Sequence, residues 1–359
     1  MLNLIGTFSR IAVAAVALSA SVAMADTRLT GAGATFPAPL YKKWVIEFEK
    51  AMPDVKLDYN SIGSGGGVKA ITEKTVAFGA SDAPLTKKEL ESMGGADQVV
   101  QFPSCAGAVV PAYNVPGITV PLKFTGPVIA DIFMGKIAKW NDKRIAELNP
   151  GVTLPDTSIT PAWRTDGSGT TFVFTNYLAT QSEEFKSSIG TGKQVKWPLG
   201  QGGKGNEGVA AVIQQTAGAF GYIELNYAAA NKIAFGSVKN SAGKFIKASP
   251  ESVSAAGVNA SEMFKGTALS ADIWNQPGEG AYPVAAFTYI IVYKDLNNLK
   301  SPQEAKALLA FLNWAVTDAQ SIAKEMDYAP LAPAVQAKVL GAIKTITFQG
   351  KPIAAADSR

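Results

Sequence analysis

The chain has 359 residues, 47% hydrophobic and 17% charged, with 33 basic against 29 acidic side chains, one cysteine and no histidine. That length exceeds one ordinary core and predicts two domains, while the low charge excludes a disordered polymer. The lone Cys105 rules out an intrachain disulfide framework and a cysteine-rich zinc site, and the missing histidine removes Ser-His-Asp triads, Cys-His pairs and HExxH metal sites together.

Residues 1–25 read as an export address. Arg10 supplies a thin positive region, Ile11–Val22 is apolar, and Ala23-Met24-Ala25 gives a small-x-small cleavage site before Asp26. The apolar run is shorter than the ~20 residues a spanning helix needs. No cysteine stands at the expected cleavage site to carry a lipid anchor. A cleaved signal peptide over 1–25 is expected, followed by an exported chain that does not itself span a membrane. A net charge of +4, with no dense Lys/Arg run interleaved with aromatics, carries no nucleic-acid signature.

The exported part alternates strand and helix patterns. Leu40, Trp44 and Phe48 recur every four residues, marking an amphipathic helix that Pro39 opens and Pro53 stops. Val55, Leu57, Tyr59 and Ser61 alternate with polar residues, as in a half-buried strand. Helical character resumes over Val68–Lys74, and Val76–Ala80 is a short apolar strand. Thr86-Lys87-Lys88-Glu89 reads as a capping box, and Ser301-Pro302-Gln303-Glu304 as a stronger helix start that places Leu308, Phe311, Leu312 and Ala315 on a buried stripe. This alternation predicts an α/β fold with mostly parallel sheets. No polar linker marks a domain boundary, so the two lobes are expected to be joined by strands crossing between them. Phe102-Pro103 and Tyr282-Pro283 are the crossing candidates. Trp140, Trp314 and Tyr328 read as packing residues, Cys105 as a small buried apolar one, and Lys123, Lys136 and Lys139 as a solvated surface.

Three glycine-rich turns precede helices: Gly31–Pro37, Gly63–Gly67 and Arg164–Thr171. In each, glycines let the backbone approach a ligand, hydroxyls donate, and the following helix turns its free N–H groups to the same spot. That arrangement binds an oxyanion; a plain turn with a Ser/Thr cap is the alternative for any one of them. Gly63–Lys69 lacks the GKS/T ending of a P-loop. Gly200–Gly205 fits GxGxxG, but a lone match behind Trp197-Pro198 is weak. Neither Ser64 nor Ser168 lies in GxSxG, because Ile62 and Asp166 occupy the positions that need glycine.

Leu29–Tyr41 resembles the mature start of the phosphate-binding protein of bacterial Pst ABC transporters. Ile62–Gly66, Phe78–Pro84, Asp166–Thr170, Lys196–Pro198 with Gly202–Asn206, Gly218–Tyr222 and Asp327–Leu331 continue the likeness in order across the exported chain. The resemblance implies a two-lobed periplasmic binding protein fold, each lobe a mixed, mostly parallel sheet flanked by helices. Lobe I is expected to span 26–103 plus 283–359, and lobe II 104–282. It implies phosphate contacts from Thr35, Phe36 (through its N–H), Ser64, Asp82, Arg164, Ser168, Gly169 and Thr170, with Asp166 supporting Arg164. It further implies a periplasmic monomer with inorganic phosphate as ligand and membrane permease subunits as partners, and neither cofactor, metal nor catalytic residue. One departure is visible: Trp163 precedes Arg164 where the family carries a second arginine.

Physical chemistry fits that set. Three helix openings supply on the order of +1.5 charges, and Arg164 adds a planar fork that Asp166 largely cancels and orients. Asp82 belongs in an anion site because phosphate keeps a proton that a carboxylate can accept, whereas sulfate has none. A receptor for a fully ionised oxyanion would not aim a carboxylate at its ligand. A secreted phosphatase using Ser64 or Ser168 is the competing class, and it needs a general base or metal cluster that the sequence does not offer.

Overall fold

The computed structural model describes residues 27–264 and 269–353. The expected signal peptide, 1–25, lies outside the described residues. Nine strands form one continuous sheet: β1 (Thr27–Gly33), β2 (Val55–Ser61), β3 (Phe78–Ser81), β4 (Val99–Tyr113), β5 (Thr160–Arg164), β6 (Gln201–Gly203), β7 (Ala219–Glu224), β8 (Ala234–Phe235) and β9 (Ala285–Tyr293). Their order is β2-β1-β3-β9-β4-β7-β5-β6, with β8 also beside β4. The helices that matter for the site are α1 (Ala38–Ala51), α2 (Ser64–Thr72), α3 (Lys87–Ser92), α4 (Gly169–Gln181), α5 (Gly205–Gln215) and α6 (Pro302–Val316).

β4 makes two lobes from one sheet. Its fifteen residues are all buried, and apart from Gln101 and Ser104 they are apolar or small, as expected of a strand covered on both faces. Val99–Ala108 pairs antiparallel with β9, and Val109–Tyr113 pairs antiparallel with β7. The outer strands of each lobe run parallel: β1 with β2 and β3 on one side, β5 with β7 and β6 on the other. The sheet is thus mixed, parallel where helices cross over it and antiparallel at the seam. Pro103 has no N–H for the ladder, and the register slips beside it: Thr288 faces Cys105 while Tyr289 faces Pro103, leaving Ser104 as an extra residue.

Local sequence accounts for most elements. β2 shows the expected burial alternation. α1 starts at Ala38 with Pro39 in its first turn and buries Leu40, Trp44 and Phe48. The Thr86–Glu89 capping box is formed, and Ser301 caps α6 by accepting from the Glu304 N–H. In the first lobe Phe311 packs against Phe48 and Phe78 with ring centroids 5.3 Å and 5.5 Å apart. In the second, Phe174 stacks on Tyr222 at 4.2 Å and Phe133 packs edge-on to Phe174.

α2 departs from expectation. It begins at Ser64, not Val68, so Gly65, Gly66 and Gly67 form its first turn. The cause is close packing: a Cβ on Gly67 would come within 2.4 Å of the Gly33 Cα and 2.6 Å of the Ala80 carbonyl oxygen. Glycine lets the helix opening settle onto the ends of β1 and β3. Among the described residues no helix is long and apolar enough to cross a membrane.

Candidate functional site

The ends of β1, β3 and β5 and the openings of α2, α4 and α5 converge at the seam between the lobes. β1 leads through a turn into α1, β2 into α2, β5 into α4 and β6 into α5, so several strand ends and helix openings face a common region. The sequence anticipated the turn before α1 and the openings of α2 and α4. The α5 opening, which carries the GxGxxG-like glycines, is the addition.

From the first lobe, Ser64 is fully buried at the start of α2, and its Oγ accepts from the Asp82 N–H at 3.1 Å. The same Oγ accepts from the Gly169 N–H at 3.1 Å, across the seam. Gly169 must be glycine for this approach, because a Cβ there would lie 2.5 Å from both the Ser64 Oγ and an Asp82 carboxylate oxygen. Asp82, just past β3, is 3% exposed; its Oδ1 accepts from the Thr288 hydroxyl at 2.8 Å and its Oδ2 from the Ser64 hydroxyl at 3.4 Å. Burial pushes its pKa up to about 7, although the Thr288 bond, the Arg164 charge and the Ser64 bond pull the other way. Asp82 is therefore poised between acceptor and donor near neutral pH.

From the second lobe, Arg164 ends β5 and is 4% exposed. It grips Asp166 with two bonds, Nε to Oδ1 at 2.8 Å and Nη2 to Oδ2 at 2.6 Å, and reaches the Thr170 Oγ1 with Nη1 at 3.3 Å. Burial opposes ionisation of Asp166, but the Arg164 bonds and charge and the Gly205 N–H, at 3.0 Å, hold its carboxyl below the usual range. Ser168 turns its Oγ inward on its own helix, accepting from the Thr171 N–H at 3.0 Å as the cap of α4.

Thr35 and Phe36 lie in the turn between β1 and α1, both buried. The Thr35 Oγ1 accepts from the Asn206 side-chain amide at 2.8 Å and the Asn206 N–H at 3.2 Å. The Phe36 carbonyl accepts from the Tyr328 hydroxyl at 2.8 Å. Among the described residues the N–H groups of Phe36, Ser64 and Thr170 have no protein acceptor. All nine residues singled out from the sequence thus lie in one cluster.

Sequence reasoning missed four partners. Asn206, fully buried at the start of α5, bridges Thr35 to Thr170, its amide reaching the Thr170 Oγ1 at 3.2 Å. The signal was present in the Gly-Lys-Gly-Asn turn but read as a weak nucleotide motif. Thr288 reaches Asp82 where the β4–β9 register slips, which no local pattern reveals. Tyr328 is more than packing, since its hydroxyl also lies 3.1 Å from the Glu224 Oε2. Glu224 ends β7, fully buried, with its Oε1 lacking a partner. Burial, with Asp327 and Asp82 adding to it, drives the Glu224 pKa well above the carboxylate range despite bonds from Asn226 and Tyr328.

Two lobes of mixed sheet joined through the crossing strand β4, with helix starts around a buried cluster at the seam, define a binding protein of the two-lobed class. Residues 19–319 match the PBP superfamily domain. A solved phosphate-binding protein from Stenotrophomonas maltophilia shares the fold with a TM-score of 0.67 at 22% identity, covering 88% of this chain and 93% of that one. The phosphate-binding protein PstS of Pasteurella multocida is 46% identical over 318 residues, 88% of this chain and 90% of its own length. That of Haemophilus influenzae is 43% identical over 318 residues, 88% and 92% of the two chains. The chain belongs to the PstS family of phosphate-binding proteins.

Proposed function

We propose that this protein binds one inorganic phosphate at the seam between its lobes and delivers it to the permease subunits of a phosphate ABC importer. The ligand contacts are Thr35, Phe36, Ser64, Asp82, Arg164, Ser168, Gly169 and Thr170, with Asp166 orienting Arg164. The observation that carries this reading is a buried carboxyl, Asp82, facing an arginine, the turn before α1 and the openings of α2 and α4, whose N–H groups at Phe36, Ser64 and Thr170 lack acceptors. Such a site suits an anion that brings its own proton. The unpaired N–H groups take the charged oxygens, the Arg164 fork takes one or two more, and Asp82 accepts the ligand's O–H.

The protein acts as a receptor and not an enzyme, needs no cofactor, and works as a periplasmic monomer exported by a cleaved signal peptide without a lipid anchor. The Ser64 hydroxyl supports this. Its oxygen accepts two N–H groups, which occupy the lone pairs a nucleophile would use and turn the hydroxyl into a donor. The lobe division 26–103 plus 283–359 and 104–282 draws support from β9 entering at Ala285, while β4 changes partners between Ala108 and Val109, a few residues beyond the expected boundary.

Calorimetric titration of the exported chain is the test. Tight 1:1 binding of phosphate with weak or no binding of sulfate is expected. Equal affinity for the two anions contradicts the reading, as does turnover of a phosphate ester that disappears on mutating Ser64.

A further inference from the structure

Among the described residues one ion pair joins the two lobes: Lys193 to Glu89. Every other pair links residues of one helix or of one lobe, as Lys56–Glu49, Lys136–Glu184 and Arg144–Asp131 do. Lys193 and Glu89 are also unusually sheltered, with side chains 18% and 23% exposed. Apart from Arg164–Asp166, at 1% and 13%, each remaining pair has a partner that is 41% exposed or more. Partial shelter gives such a pair more weight than an open surface bridge.

Both ends are built into the site. Glu89 belongs to the capping box of α3: its Oε2 accepts from the Thr86 N–H at 2.8 Å and the Thr86 hydroxyl at 2.9 Å, which leaves Oε1 aimed at Lys193. Burial works against its charge, but the Lys193 and Thr86 bonds hold its pKa below the usual range. On the other side, the Lys193 carbonyl accepts from the Ser168 N–H at 2.8 Å, and Ser168 caps α4, whose opening meets Ser64. A continuous chain of bonds therefore runs from α3 of the first lobe, through Glu89 and Lys193, to the anion-facing end of α4 in the second.

We propose that Lys193 and Glu89 form a latch across the rim of the cleft that sets how long phosphate stays bound. This rests on the phosphate reading above and assigns these two residues to holding the lobes closed, outside the set that touches the ligand. The latch can form only once the lobes have met, so it acts on release and leaves capture alone.

Stopped-flow measurement of phosphate association and release tests it, using the exported chain, Glu89→Gln, Lys193→Met and the double variant. Glu89→Gln keeps an oxygen for the Thr86 N–H, so α3 retains its cap. Each single variant is expected to release phosphate about 3- to 30-fold faster, with association changed by less than about twofold. The double variant should be no faster than the faster single one, because both changes remove the same bond. High salt should speed release from the unmodified protein more than from either variant. Release at the unmodified rate in both single variants overturns the latch, even if their thermal stability has dropped, and so does an additive double variant. An unmodified protein that takes up no phosphate overturns the functional reading and the latch with it; one that binds phosphate while the variants behave normally overturns the latch alone.

Discussion

The two faces of the cleft solve different halves of one problem. The first-lobe face, built by Thr35, Ser64 and Asp82, holds hydroxyls and an acid but no cation, and burial moves that acid to a pKa of about 7. The second-lobe face holds the only buried arginine of the cluster and at once neutralises it with Asp166. Neither face accumulates charge. Under the proposed function the contrast separates grip from choice: the Arg164 fork and the α2 and α4 openings would attract any oxyanion, while Asp82 would ask whether that oxyanion carries a proton. The slight positive charge of the chain, too small to attract a polyanion, is enough when the ligand meets local dipoles and one oriented fork.

Breaking the grip should produce the largest effect. Arg164→Met removes the fork and leaves Asp166 without the partner that holds its pKa down. Truncating one member of a buried charged pair costs ~2–5 kcal/mol of binding, so phosphate affinity measured by calorimetry should fall by a factor of roughly 30 to several thousand. A loss below about fivefold would place the grip elsewhere, on the helix openings alone.

The seam between the faces sharpens the comparison with a smaller effect. The Tyr328 hydroxyl has one proton, and the Phe36 carbonyl at 2.8 Å can only accept it. The contact of Tyr328 with the Glu224 Oε2 at 3.1 Å is then a hydrogen bond only if Glu224 is protonated and donates. With its pKa raised by burial, Glu224 contributes stability that is complete below the unfolded carboxylate range and declines as pH rises toward the folded value. Glu224→Gln keeps a neutral donor and acceptor in place. Its unfolding free energy near pH 7 should match or exceed that of the unmodified protein to within ~1 kcal/mol, with a flatter pH dependence above pH 5. A Gln variant that loses as much stability as Glu224→Ala would show that Glu224 is ionised in the folded protein.

The division between legible and hidden follows the range of the interactions. Local signals carried the α1 stripe, the β2 alternation, the Thr86 and Ser301 caps and the glycine-rich turns, because each is decided within a few residues. The start of α2 is not legible locally because Gly65–Gly67 look like a loop, and only the packing of Gly67 on Gly33 and Ala80 makes them a helical turn. Asn206, Thr288 and Glu224 were hidden for a related reason. Their partners lie far away in sequence: Thr288 meets Asp82 across 206 positions, and Asn206 meets Thr35 across 171. Three turns with one grammar pointed to an oxyanion; the family likeness assigned the individual contacts, and the fold brought them together. The same holds at the rim, where a capping box legible as a helix start also aims Glu89 at the other lobe.

Competition between phosphate and sulfate, read by calorimetry at pH 8 and pH 5.5 for the unmodified protein and for Asp82→Asn, bears most directly on the claim that Asp82 does the choosing. At pH 8 Asp82 is ionised and should reject sulfate; at pH 5.5, below its pKa of about 7, it gains a proton it can donate, and sulfate should bind more tightly. Asp82→Asn, a neutral donor at both values, should still bind phosphate, admit sulfate at pH 8 and show no such pH dependence. Selectivity that survives unchanged in Asp82→Asn, or sulfate rejection that is the same at both pH values in the unmodified protein, would contradict it.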